Sequence, residues 1–195
     1  MNEPTIRSFI AVELPEDIKR GLKRIQTELG LDRDNFVKCV SPEGIHLTLK
    51  FLGGVPPQKI KDIVSFMEAA SQGIKPFELQ ITEVGAFPDF RRPRVVWVGL
   101  KGDIDKLVAW QQRLDDGLVP LGFAKENRPF TPHLTLARVR ETCSPGDRQR
   151  LGEAVANLQV QVDDKFTVNA LSLMRSQLLP AGAVYSLQAE IKLKP

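Results

Sequence analysis

"HLTL" at residues 46–49 is spelled again at residues 133–136, and the histidines that open the two copies, His46 and His133, are the only two in a chain of 195 residues. Each copy lies in an alternating stretch. In "GIHLTLKFLG" (44–53), Ile45, Leu47, Leu49 and Phe51 fall on one face and His46, Thr48 and Lys50 on the other, the period-two pattern of a half-buried strand. "RPFTPHLTLARV" (128–139) reads as the same kind of strand.

Working outward, the order of elements around the two copies is the same. "SFIAVEL" (8–14) reads as a strand and "EDIKRGLKRIQTEL" (16–29) as a helix with Ile18, Leu22, Ile25 and Leu29 on one face; after the first HLTL come a helix near 57–71 and a strand in "PFELQITEVGAF" (76–87). The second half offers "RVVWVGL" (94–100), the amphipathic "DIDKLVAWQQRLDDGL" (103–118), the second HLTL, a helix beginning at Pro145 and a strand in "KFTVNALSLMRS" (165–176). Matching Phe9 to Val95, His46 to His133 and Phe77 to Phe166 requires offsets of 86, 87 and 89. The spacing points to an internal duplication: one bilobal domain over 1–195, with lobes near 1–90 and 91–195 that exchange terminal strands. "PAGAVY" (180–185) reads as a turn before a final strand in 184–193.

Composition narrows the setting. Hydrophobic residues make up 42% of the chain, enough for a packed core, and the net charge of +3 tolerates a phosphate-bearing partner without demanding one. No apolar run reaches membrane-spanning length, and charges interrupt the N-terminal stretch too often for a signal-peptide core, so the expectation is a cytoplasmic protein with no membrane partner. Cys39 and Cys143 lie far apart and outside metal-ligand spacing, which reads as two reduced thiols.

On a strand, His46 and Thr48 share a face, as do His133 and Thr135. A hydroxyl beside an imidazole can hold an oxyanion while the imidazole moves a proton, and two such pairs facing one cleft would bracket a phosphorus atom with a base on the attacking side and an acid on the leaving side. One histidine on a polar strand face is ordinary; the only two, in equivalent H-x-T motifs, point to chemistry. A metal site would need Cys, Asp or Glu on the same faces to complete the shell, and none is there.

"FIAVELP", "HLTLKFLG", "GAFPDFRRPRVVWVGL" and "PHLTLARVR", in this order, resemble the two-histidine phosphoesterase superfamily, and within it the RNA 2′,3′-cyclic phosphodiesterases, also called 2′-5′ RNA ligases. The resemblance spans nearly the whole chain. It implies an α+β fold in which two antiparallel sheets form a central cleft with helices packed outside, and an enzyme without metal or other cofactor. It further implies hydrolysis of 2′,3′-cyclic phosphate ends to 2′-phosphate by a monomer acting on RNA ends or nucleotides, with ligation as the reverse reaction. Carried over, the catalytic set is His46 with Thr48 and His133 with Thr135; we take His46 as proton donor and His133 as proton acceptor, an assignment that the pseudo-symmetry of the two motifs leaves open. Other readings are a phosphodiesterase of small cyclic nucleotides such as ADP-ribose cyclic phosphate, and a non-catalytic RNA-binding module.

Around these four residues the candidates are substrate contacts. Arg138, five positions after His133, falls on the opposite side of an ideal strand, so its guanidinium either reaches round the strand end to phosphate or is solvated. Arg92 and Arg94 in "FRRPR" (90–94) suit an RNA backbone or a solvated turn. Phe51 and Phe130 could stack a base, yet Phe51 alternates with Leu47 and Leu49 and so reads first as core. Tyr185, the only tyrosine, matches a cleft position of the family.

Overall fold

In this computed structural model, which describes residues 4–159, 164–179 and 182–195, strand β1 (Ile6–Glu13) leads to helix α1 (Glu16–Glu28) and short strand β2 (Val37–Cys39). The first motif opens β3 (His46–Val55), followed by α2 (Ile60–Ser71) and β4 (Phe77–Phe87). The second half runs β5 (Val95–Gly102), α3 (Ile104–Gly117), β6 (His133–Val139), α4 (Pro145–Asn157), β7 (Lys165–Val168), β8 (Ala170–Leu179) and β9 (Gly182–Lys192). The fold is α+β. Its strands form two antiparallel sheets, one ordered β3-β1-β8-β9 and the other β2-β6-β5-β4-β7.

Each sheet draws strands from both halves of the sequence. β4 leaves the first half to pair with β5, and β8 leaves the second half to pair with β1. The helices bury apolar stripes against the sheets: Ile18, Leu22 and Ile25 from α1, and Leu107, Trp110 and Leu114 from α3, belong to one continuous core. α4 starts where Pro145 has no N–H to lose, and Ser144 caps it by accepting the Asp147 backbone N–H at 3.1 Å.

The segment 165–176, expected as one strand, is two. Asn169 separates β7, which pairs with β4, from β8, which pairs with β1 and β9, so the chain crosses from one sheet to the other at this residue. The landmark Phe77–Phe166 therefore does not mark counterparts: β4 and β7 are neighbours, with Leu79 opposite Phe166. The true counterpart of β4 is β8. Phe9 faces Met174 and Val95 faces Phe87, and Met174 stands 87 positions after Phe87. Of the stretch expected as a turn, Gly182 onward is already strand, and Pro180 and Ala181 lie outside the described residues.

The register of β1 on β3 recurs in β5 on β6. Ile10 faces Lys50 as Val96 faces Ala137; Ala11 faces Thr48 as Trp97 faces Thr135; Glu13 faces His46 as Gly99 faces His133. Even the irregularity repeats. Leu49 and Leu136 are each skipped in the pairing, a bulge in which the motif strand carries one residue more than its partner. Beyond a bulge the alternation reverses, so Lys50 and Ala137 turn inward beside the leucines, and Phe51 and Arg138 turn outward.

Lys50, expected on the polar face, is consequently buried at 2% exposure. Its ammonium pairs with Asp115 of α3 and donates to the Ala124 carbonyl at 2.5 Å, while the Asp115 carboxylate also accepts the Glu126 N–H at 3.2 Å. Breaking such a pair strands a charge in the core. Asp115→Ala is expected to destabilise the fold by about 3–5 kcal/mol, and Lys50→Met with Asp115→Leu by far less. Urea unfolding of the single and double variants checks this, and equal losses would show that the pair is not acting as a unit.

Candidate functional site

The two motif strands bring β3 of one sheet and β6 of the other within 8 Å of each other, measured between Cα atoms. On each strand the H-x-T side chains are half-buried, between leucines that are sealed in the core: Leu47 and Leu49 on β3, Leu134 and Leu136 on β6. The leucines fix the strands, and the period of two leaves the histidine and threonine on the opposite face.

Both imidazoles are tied to a backbone group two residues upstream. His133 Nδ1 lies 2.7 Å from the Thr131 carbonyl oxygen, which can only accept, so Nδ1 carries the proton and Nε2 is left for the cleft. His46 makes the equivalent bond to the backbone of Gly44. Their surroundings differ. His46 stacks on Phe9 at 4.5 Å and meets the edge of Tyr185 at 5.0 Å. This enclosure strips water from the ring. Burial lowers its pKa from 6.5 to about 4, against the opposing pull of the Gly44 bond, so the imidazole is neutral at pH 7. His133 is flanked edge-on by Phe87 at 5.1 Å and Trp97 at 6.5 Å.

The bulges change the standing of two sequence candidates. Phe51, read first as core, is 57% exposed and lies tilted against Phe9 at 6.1 Å, within the aromatic group that holds His46. Arg138, expected opposite His133, is exposed on the His133 and Thr135 face, because the skipped Leu136 restores the parity. Tyr185 joins the same aromatic group, edge-on to Phe9 at 5.3 Å. Phe130 instead is half-buried and packed against the main core.

Arg92 and Arg94 belong to a segment tied down at several points. Asp89 Oδ1 accepts the N–H groups of Arg91 and Arg92 at 2.8 and 2.9 Å, and Arg148 of α4 donates to the Pro93 carbonyl at 2.6 Å. α4 approaches the segment so closely that a Cβ on Gly152 would stand 1.7 Å from the Phe90 carbonyl oxygen. The two arginines are exposed and therefore project from an anchored base.

Residues that pattern reading passed over include Phe9, Phe87 and Trp97. The Trp97 indole lies over Gly85, where a Cβ would come within 2.3 Å of it. Trp97 is the register counterpart of Ala11, which is why duplication alone does not reveal it. Among the described residues no group of three or more His, Cys, Asp or Glu is gathered as a metal shell would require, and no helix is long and apolar enough to cross a membrane. Cys39 and Cys143 are both free thiols.

The chain is 38% identical over 181 residues to an RNA 2′,3′-cyclic phosphodiesterase of Methanothermobacter thermautotrophicus, covering 93% of this chain and 95% of the relative. It is 30% identical to one of Methanocaldococcus jannaschii, covering 95% and 99%. Among solved structures, TT0787 of Thermus thermophilus shares the fold with a TM-score of 0.79 at 27% identity, covering 96% of this chain and 98% of that one. E. coli LigT, crystallised with 3′-AMP, shares it with a TM-score of 0.79 at 23% identity, covering 98% and 99%. The LigT-like phosphoesterase model matches twice, over residues 12–97 and 98–185, one match to each half and each with its own H-x-T motif, and so the chain belongs to the LigT-like phosphoesterase family.

Proposed function

We propose that this protein hydrolyses RNA ends carrying a 2′,3′-cyclic phosphate to 2′-phosphate ends, and that it joins such ends to a 5′-hydroxyl in the reverse direction. The observation that carries the reading is the placement of both H-x-T pairs at register-equivalent positions, each followed by a bulge that turns Phe51 or Arg138 to the same face. Relatives that match nearly end to end are RNA 2′,3′-cyclic phosphodiesterases, which supports the same substrate class.

In the proposed reaction one imidazole takes a proton from water as its oxygen attacks phosphorus. The bond to the 3′-oxygen breaks in line, and the other imidazole protonates that oxygen. Thr48 and Thr135 donate to the phosphoryl oxygens, and no metal is required. We assign His133 as acceptor and His46 as donor. With its pKa near 4, His46 can donate only if the anionic phosphate raises that pKa on binding. The same low value favours a second reading with the roles reversed. Arg138, Arg92 and Arg94 contact phosphates, and Phe51 and Tyr185 present an aromatic surface to a base.

His46→Ala and His133→Ala are each expected to lower turnover by roughly 10²- to 10⁴-fold on a short oligonucleotide ending in 2′,3′-cyclic phosphate, with EDTA leaving the wild type active. A substrate with sulfur in place of the bridging 3′-oxygen expels a thiolate that needs no proton. It should restore the variant lacking the donor. Rescue of His46→Ala supports the assignment, rescue of His133→Ala reverses it, and near wild-type activity in either alanine variant removes that histidine from the chemistry.

The pH dependence follows from the His46 environment. Only the singly protonated pair reacts, so the kcat/KM profile carries a limb where His46 loses its proton, near pH 4. Tyr185→Ala opens the ring to water and should move this limb up towards 6.5, the ordinary histidine value. A limb that stays in place when Tyr185 is removed would separate it from His46.

Substituting Arg92, Arg94 or Arg138 by alanine should raise KM for an oligonucleotide more than for a mononucleoside 2′,3′-cyclic phosphate. Equal effects on both substrates from all three would favour a small cyclic nucleotide, such as ADP-ribose cyclic phosphate, as the substrate.

A further inference from the structure

Two buried glutamines stand on the core-facing sides of helices, that of α1 otherwise apolar and that of α3 shared with Asp115. Gln26 lies beside Leu22 and Ile25 on α1, and Gln111 beside Leu107 and Leu114 on α3. They are 85 positions apart, within two of the spacing between the histidines, and occupy counterpart places in the duplication. Gln26 Nε2 donates to the Leu136 carbonyl at 2.9 Å and to the Val40 carbonyl at 2.7 Å. Gln111 Nε2 donates to the Leu49 carbonyl at 3.4 Å. Leu49 and Leu136 are the equivalent residues skipped next to the two H-x-T motifs in the strand pairing.

The pattern is crossed. A helix of the first half holds the bulge of β6, and a helix of the second half holds the bulge of β3. A buried amide on an apolar face is costly unless its hydrogen bonds are made. Here each Nε2 donates to the carbonyl of the extra residue, that of Gln26 also to Val40, while the buried Gln26 Oε1 has no hydrogen-bond partner among the described residues. The extra residue sets which side the following side chains face, since losing it would move Arg138 and Phe51 to the core side of their strands.

We infer that Gln26 and Gln111 are positioning residues of the cleft, each fixing a bulge and through it the placement of Arg138 and Phe51. The inference rests on the reading of those two side chains as substrate contacts. Gln26 acts on the phosphate contact of one lobe, and Gln111 on the aromatic contact of the other.

Gln26→Met keeps the length of the side chain and removes its donor. The fold has means to survive it, because the Leu136 carbonyl still accepts the Val40 N–H at 2.9 Å. KM for the oligonucleotide is expected to rise about three- to tenfold, the equivalent of one lost hydrogen bond, with the effect on KM rather than kcat. In an Arg138→Ala background the same substitution should add nothing. Gln111→Met and Phe51→Ala form the matching cycle. Independently of activity, NMR contacts across the pairs Val96–Ala137 and Trp97–Thr135 report the β6 bulge, and they should weaken in Gln26→Met. Full additivity in both cycles, or an unchanged KM with these contacts intact, overturns the inference. If Arg138→Ala by itself leaves KM unchanged, the substrate contact is what fails, and the NMR contacts alone then decide whether Gln26 fixes the bulge.

Discussion

The extra residue directly after each H-x-T motif governs which side chains the motif strand turns to the cleft. Up to Leu49 and Leu136, strict alternation places histidine and threonine on one face and leucine on the other. Without the bulges that alternation would continue, putting Phe51 and Arg138 in the core and leaving Lys50 and Ala137 in the cleft. With them, a third side chain joins each H-x-T pair. The inward turn of Lys50 is then tolerable only because Asp115 and the Ala124 carbonyl receive its ammonium. The second lobe has alanine at that position, and needs no partner there.

The duplicated frame carries unlike side chains. Phe9, Ala11 and Phe51 of one lobe correspond in register to Val95, Trp97 and Arg138 of the other. One histidine is thereby sealed among aromatic rings and kept neutral, while the other has an exposed arginine on its strand face. A cyclic phosphate at a chain end is itself lopsided, with a base on one side of the ribose and a charged backbone on the other. The contacts proposed for it, aromatic on the strand of His46 and cationic on that of His133, are lopsided in the same sense.

The duplication and its repeated H-x-T motif were legible in the sequence because period-two patterns and the spacing of 87 are local or countable, whereas the α+β class came with the resemblance to the two-histidine phosphoesterases. The bulges were not, since no glycine or proline marks Leu49 or Leu136 and the pairing that exposes them lies in another strand. That single omission accounts for the misplacement of Phe51, Lys50 and Arg138. The division of 165–176 escaped for a related reason: both pieces are strand-like, and only their partners differ. Gln26 and Gln111 did leave a trace, a polar residue on each core-facing helix stripe, although the carbonyls they meet belong to the opposite half.

The exchange of β4 and β8 between halves has a consequence for how the molecule comes into being. β1 must wait for β8, some 160 residues later, before its sheet can close, and that closure carries the entropy of a very long loop. On a ribosome the first half emerges with a hydrophobic antiparallel β1–β3 pair, joined through α1 and β2, whose inner edge has no partner. The pocket around His46 is finished only when Tyr185, close to the end of the chain, arrives. A chain interrupted before β8 would therefore leave the inner edge of β1 exposed.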